Sequence, residues 1–129
     1  MFQHHLRKQV LLLSDNESVA KLISHIGTND IDITRFLLAP RNSSEKIMAT
    51  GNFDLIILAL SKYASEPIVT LAHASLLDAV GHVPILIISD KSFQSDPTTQ
   101  IIHMDLPFSI DHLNAQIREM LHLQTLSFS

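Results

Sequence analysis

Residues 53–60, Phe-Asp-Leu-Ile-Ile-Leu-Ala-Leu, constrain the fold of this chain more than any other stretch. A short, continuous apolar run of this kind is typical of a strand that is buried on both faces, as in a parallel sheet covered by helices. In an open α/β sheet, functional groups are placed where the strands end. The run ends around Ala59, whose methyl group brings no chemistry to that position.

Four further apolar segments predict strands of the same sheet. The first is Val10–Leu13, and the second, less regular, covers Ile31, Ile33 and residues 36–39, with Pro40 closing it. Val83–Ile88 predicts the fourth strand and residues 101–104 predict a shorter fifth one. Each is bounded by Gly, Pro, Ser, Asp or Asn residues, which are typical of turns and helix caps.

Segments with helical spacing of their apolar residues separate the strands. Glu17–Ile26 has apolar residues at the spacing 0, 3, 4 and 7, and a short helix is predicted over residues 45–49. A further helix is predicted from Glu66 to Val80, and a last one follows the cap residue Ser109. The apolar stripe of the last helix consists of Ile110, Leu113, Ile117 and Leu121. This alternation of strands and helices predicts an α/β fold with a parallel sheet and helices on both faces.

Composition excludes several classes of function. The 129 residues suit a single domain, which we predict over residues 1–129, with a core over about 8–122 and a tail over 123–129. A net charge of −4 argues against nucleic-acid binding, and the absence of cysteine excludes thiolate catalysis and cysteine-based metal sites. Because Val10–Leu13 is too short for a signal peptide or a membrane helix, we expect a soluble, cytoplasmic protein without membrane contact.

Four segments, taken in chain order, carry a family resemblance. They are residues 10–17 (VLLLSDNE), 53–60 (FDLIILAL), 83–89 (VPILIIS) and 105–108 (DLPF). Together they resemble the receiver domain of bacterial response regulators, the CheY-like superfamily, over nearly the whole chain. The resemblance implies a flavodoxin-like (βα)5 three-layer sandwich with a parallel five-stranded sheet in the order 2-1-3-4-5.

The same resemblance places the functional positions of the family on residues that have lost much of their chemistry. The acidic pair that binds metal falls on Asp15 and Asn16, so one carboxylate has become an amide. The phosphoacceptor falls on Ala59, and the lysine that would contact the phosphoryl group falls on Leu106. We therefore predict that the chain has no catalytic residue and cannot be phosphorylated at this position.

Two further positions of the family pattern are retained. The switch hydroxyl falls on Ser89, and Pro107 matches the proline that usually follows a cis peptide bond in the family. With the four positions above, they complete a degenerate site. Magnesium prefers carboxylate oxygens, so Asp15 is the remaining candidate ligand for residual Mg²⁺ binding, and we expect no metal or other cofactor.

The segment between Ser89 and Leu106 departs from the family in length. It has 17 steps, about five fewer than the resemblance implies, and residues 90–100 have no helical stripe beyond Phe93. We therefore expect the fourth helix of the receiver pattern to be shortened, irregular or absent. That helix belongs to the surface that docks partners in the family, so a remodelled output surface is expected too.

Other candidate residues have simpler interpretations. Asp54 precedes Ala59 by five residues, roughly 16 Å along a strand, so a solvated or capping carboxylate is predicted and not a second phosphoacceptor. Asp15 and Asn16 can cap the first helix, whether or not they hold metal. None of the eight histidines forms an i, i+4 pair, so no zinc site is predicted, and most of them are expected on the surface.

Two functions remain open on these observations. The first is a pseudo-receiver, a non-enzymatic protein-interaction module of bacterial two-component or phosphorelay signalling, whose partner would be a histidine kinase or another regulator. Its contact surface is predicted on the last helix (Ile110, Leu113, Ile117, Leu121) and residues 90–105, with a homodimer as one arrangement. The alternative is a ligand-binding or enzymatic flavodoxin-like domain, whose crevice would be lined by Ser14, Asp15, Asn16, Ser61, Ser89 and Asp90.

Overall fold

The computed structural model of the protein describes residues 7–26, 30–38, 53–77, 83–90, 101–106 and 108–122, with backbone alone for residues 73–77. Over these ranges the chain forms the elements β1 (Lys8–Ser14), α1 (Glu17–Ser24), β2 (Ile31–Leu37), β3 (Leu55–Ala59), α2 (Glu66–Leu77), β4 (Ile85–Ile88), β5 (Ile101–Met104) and α3 (Ile110–Met120). Every strand that the apolar runs predict is present, with ends shifted by two residues or fewer.

The five strands form one parallel sheet in the order β2-β1-β3-β4-β5. The expected strand order is therefore confirmed. β1, β3 and β4 occupy the middle of the sheet, and all residues of β3 and β4 are buried. This explains why their sequences are continuous apolar runs and not alternating ones.

Two apolar clusters cover the two faces of the sheet, which makes three layers. Alternate strand residues such as Val10 and Leu12 meet α1 and α3 on one face. Their neighbours Leu11 and Leu13 meet Ile68 and Ala72 of α2 on the other face. The alternation follows from the two-residue period of a strand, which sends successive side chains to opposite sides.

Cap residues set the starts of α1 and α3. The Asn16 side chain accepts a hydrogen bond from the Val19 N–H at 3.0 Å, and the Ser109 hydroxyl accepts one from the His112 N–H at 3.1 Å. Both helices therefore begin where the sequence predicts, because each cap satisfies an N–H that has no partner inside the helix.

The prediction that the stripe of the last helix forms a docking surface is wrong for Leu113, Ile117 and Leu121. Leu113 and Ile117 are fully buried, Leu121 is 3% exposed, and Ile110 packs partly buried against the same cluster. The reason is that an amphipathic helix in a layered domain turns its apolar face toward the sheet. A partner cannot reach Leu113, Ile117 or Leu121 while the domain is folded.

An ion pair joins the end of α3 to the start of β2. Arg118 is 3% exposed, and its Nη2 atom lies 2.8 Å from Oδ2 of the half-exposed Asp30. Asp30 also accepts a backbone hydrogen bond from the Lys8 N–H at 2.7 Å. The pair therefore joins α3 to the edge of the sheet where the strands begin, opposite the crevice.

Several predictions lie outside the described residues. They concern the short helix over 45–49, the shortened helix between Ser89 and Leu106, Pro107 and the tail over 123–129. The assignment of residues 1–129 to a single domain stays a prediction. Among the helices that the structure describes, none is both long and apolar enough to cross a membrane.

Candidate functional site

The carboxyl ends of the central strands place Ala59 between two neighbours. Ala59 pairs with Ser14 of β1 on one side and with Ile88 of β4 on the other, and it is 2% exposed. The backbone continues to Leu60, whose N–H donates to the Ile88 carbonyl at 2.9 Å. The position that the resemblance assigns to the phosphoacceptor thus lies at the centre of the crevice edge and presents a methyl group.

Asp15 is engaged by the loop that follows β3. Its Oδ1 atom accepts from the Ser61 N–H at 2.7 Å and its Oδ2 atom accepts from the Ser61 hydroxyl at 2.6 Å. Asp15 therefore does not cap α1; Asn16 alone does so. Because both donors come from one residue, the carboxylate fastens the loop after β3 to the turn after β1, and charge-assisted hydrogen bonds of this kind are strong.

The residues at the predicted metal position offer few oxygen ligands to a magnesium ion. Both Asp15 oxygens are taken by Ser61, the Asn16 oxygen is taken by the Val19 N–H, and Ala59 offers no oxygen on its side chain. Within the described ranges, no group of three or more His, Asp or Glu residues is placed to hold a metal ion. Magnesium in proteins is bound by one or two carboxylates and completes its coordination with water, so Asp15 stays the candidate ligand and residual Mg²⁺ binding stays a prediction.

A pocket of about 620 Å³ occupies the crevice. It is bounded by α1, by the end of β3 and the loop after it, by the end of β4 and by the segment between β5 and α3. Its lining consists of Asn16, Val19, Leu22, Ala59, Leu60, Ser61, Lys62, Tyr63, Ile88, Asp90, Leu106 and Phe108. Most of these side chains are apolar, so the crevice has become a hydrophobic cavity where the resemblance would place charged groups.

Comparison with solved structures identifies the architecture. A response regulator receiver domain from Bacillus halodurans has a TM-score of 0.64 at 17% identity, over 88% of this chain and 97% of that one. A receiver protein from Sinorhizobium medicae also has a TM-score of 0.64, at 13% identity over 92% of this chain and 98% of that one. The anti-anti-sigma factor PhyR from Bartonella quintana has a TM-score of 0.61 at 16% identity, over 91% of this chain and 48% of that one.

The chain has the receiver-domain fold. No protein-family model matches its sequence, and no curated protein matches it either. The likeness to receiver domains is therefore one of structure, with five parallel strands in the same order.

Within this receiver fold, Ser89 is held below the surface of the crevice. It is fully buried, and its N–H donates to the Met104 carbonyl at 3.1 Å. The Nε2 atom of His103 lies 2.8 Å from the Ser89 carbonyl oxygen, and because a carbonyl only accepts, Nε2 carries the proton in this contact. Ser89, the residue that follows β4, is therefore hydrogen-bonded to two residues of β5.

The structure brings some of the predicted site residues together and places others elsewhere. Asn16, Ala59 and Leu106 line one pocket, as their places at neighbouring strand ends predict, whereas Pro107 lies outside the described residues. Asp54 lies exposed just before β3, at the far end from the crevice, and its Oδ2 atom accepts from the Gln9 N–H of β1 at 2.8 Å, which agrees with the predicted solvated carboxylate. The described histidines 25, 112 and 122 are exposed, as expected, and His103 is not.

Sequence analysis missed seven residues of the pocket lining, namely Val19, Leu22, Leu60, Lys62, Tyr63, Ile88 and Phe108. Leu22 was predicted as part of the apolar stripe of α1, but 46% of it is exposed, and it lies on the pocket wall. Lys62 and Tyr63 also line the pocket, and the Lys62 Nζ atom lies 5.2 Å from the centre of the Tyr63 ring. Their position directly after the Ala59 strand end was the available signal, since loops at that edge line the crevice.

Proposed function

We propose that this chain is an atypical receiver domain of a bacterial two-component or phosphorelay system, and that it acts without being phosphorylated. The supporting observation is the methyl group of Ala59 at the centre of the crevice edge, between Ser14 and Ile88. Transfer of a phosphoryl group to this position needs a nucleophilic oxygen on the side chain, and an alkyl side chain supplies none. Leu106, which lines the same pocket, has no positive charge that could stabilise a phosphoryl group.

In this proposal the domain is a cytoplasmic, non-enzymatic interaction module. Its partners are signalling proteins, such as a histidine kinase or another regulator, or a second copy of the chain, and it requires no cofactor, nucleic acid or membrane. Because the inner face of α3 is buried, the contact surface has to use outward-facing residues. Ile102 on the terminal strand of the described sheet, which is 36% exposed, is one such residue.

The test is incubation with Mg²⁺ and acetyl phosphate, followed by intact-protein mass spectrometry. We expect no gain of a phosphoryl group by the natural chain. The triple variant Asn16→Asp, Ala59→Asp, Leu106→Lys restores the three missing groups and serves as the matched control, together with an active receiver domain in the same assay. A stable aspartyl phosphate on the natural chain would contradict the proposal.

The alternative function, ligand binding in the crevice, is favoured by the pocket itself. Its volume of about 620 Å³ falls in the range of about 300–1,000 Å³ that small-molecule sites occupy. An enzymatic role gains no such support. The Ser61 hydroxyl donates to Asp15, and Nε2 of His103 contacts the Ser89 carbonyl. Ser61 and His103 therefore do not form a pair of nucleophile and base.

A further inference from the structure

The apolar pocket at the crevice is a feature that phosphorylation-independent docking does not require. We propose that it binds an uncharged, largely apolar small molecule, and that this ligand takes the place of the phosphoryl group as the signal that the domain receives. The inference goes beyond the proposed function, because an interaction module without a ligand would satisfy that function equally well.

The shape of the pocket favours a small molecule over a flat protein contact. Four parts of the chain border it, and its volume is about 620 Å³. Apolar side chains from all four parts converge on it, namely Val19, Leu22, Ala59, Leu60, Ile88, Leu106 and Phe108. A concave apolar site with a few polar groups around it is the usual form of a small-molecule site.

Exposed apolar side chains are concentrated at the same place. Among the described residues, large hydrophobic side chains that remain exposed are Leu22, Leu37, Tyr63 and Ile102, and two of these four line the pocket. Leu22 is 46% exposed and Tyr63 is 82% exposed. Leaving such side chains open to water beside a cavity is unfavourable, and clustering of this kind marks a binding site.

The lining of the pocket favours an uncharged ligand. Lys62 and the exposed Asp90 are the charged residues of the lining, and their charges cancel. Asp15 is absent from the lining, and both its oxygens are bound by Ser61. A charged ligand would lose its hydration against the apolar part of the lining around Ala59 and Leu106, whereas an uncharged one pays no such cost.

The binding test is a fluorescence titration with 1-N-phenylnaphthylamine, an uncharged aromatic probe. We expect saturable binding at one site per chain. The variant Leu22→Glu places a charge on the pocket wall and is expected to weaken binding by about tenfold or more, because burial of a leucine against the probe is lost. Leu37→Glu is the matched control: Leu37 is 47% exposed, lies on β2 and does not line the pocket, so binding should change by less than about twofold.

A second variant keeps the test independent of folding. Tyr63 is 82% exposed, so Tyr63→Ser should leave the thermal midpoint unchanged while weakening probe binding severalfold. Circular dichroism and thermal unfolding are recorded for each variant. The proposal is overturned if the probe does not saturate, or if Leu22→Glu and Leu37→Glu weaken its binding equally.

Two further outcomes separate this inference from its rivals. If the chain self-associates, loses this association in Leu22→Glu and does not bind the probe, a second copy occupies the pocket and the inference fails. The acetyl phosphate assay is run on the same samples without the probe. Phosphorylation there would reject the proposed function whatever the titration shows, and absent probe binding would reject the ligand while leaving the proposed function intact.

Discussion

The inner face of α3 and the crevice differ from their predictions in how accessible their apolar side chains are. The α3 stripe, expected to meet a partner, is buried, with Leu113 and Ile117 fully inaccessible. The crevice, expected to hold only a degenerate phosphorylation site, is an open apolar pocket around Ala59 and Leu106. The difference teaches that the crevice, where the receiver pattern has charged groups, leaves apolar side chains such as Leu22 accessible, whereas the stripe of the last helix packs on the sheet and stabilises the fold.

The largest expected loss of stability comes from a substitution on the buried face of α3. Leu113→Ala should lower the free energy of unfolding by about 2–5 kcal/mol, because it removes buried methyl groups and leaves a cavity. Urea denaturation measures the loss. Leu22→Ala is the control at the crevice, where a half-exposed leucine should cost about 1 kcal/mol or less. Equal losses for the two variants would remove the distinction between the two regions.

An intermediate loss of stability is expected when the ion pair between Arg118 of α3 and Asp30 is broken. Asp30→Ala leaves Arg118 buried without its carboxylate partner and should cost about 2 kcal/mol, less than a fully buried pair because Asp30 is half exposed. The measurement is again urea denaturation, at low and at high salt. Glu119→Ala, on the exposed side of the same helix, should change stability by less than about 0.5 kcal/mol. A loss for Asp30→Ala no greater than that of Glu119→Ala would show that the pair adds nothing.

The smallest effect is expected on the crevice side. Ser61→Ala removes the hydroxyl that donates to Asp15 at 2.6 Å but keeps the backbone N–H, so a cost of about 1 kcal/mol is expected. Thermal unfolding measures it, and amide hydrogen exchange of the loop after β3 should quicken. Ser61→Thr retains the hydroxyl and is the control. Unchanged exchange in Ser61→Ala would mean that the Asp15 contact does not hold the loop.

Much of the crevice could be predicted because it depends on strand ends. Asn16, Ala59 and Leu106 follow or end separate predicted strands, and a parallel sheet brings such ends to one edge. The Asp15–Ser61 contact could not be predicted in the same way. The two residues are 46 positions apart, and the bond depends on the path of a loop. Helical spacing likewise shows that Ile110, Leu113, Ile117 and Leu121 share a face, but not whether that face meets the sheet or a partner.

By itself, the sequence determined the parallel sheet, the order of strands and helices and the loss of chemistry at Ala59, because these follow from local apolar periods, cap residues and the identity of one side chain. Only the tertiary structure decided which apolar surfaces are buried and which stay open. The α3 stripe and Leu22 have similar local patterns, yet one is covered by the sheet and the other borders a cavity. Burial is a property of what lies opposite a side chain, and contacts between distant parts of the chain set it.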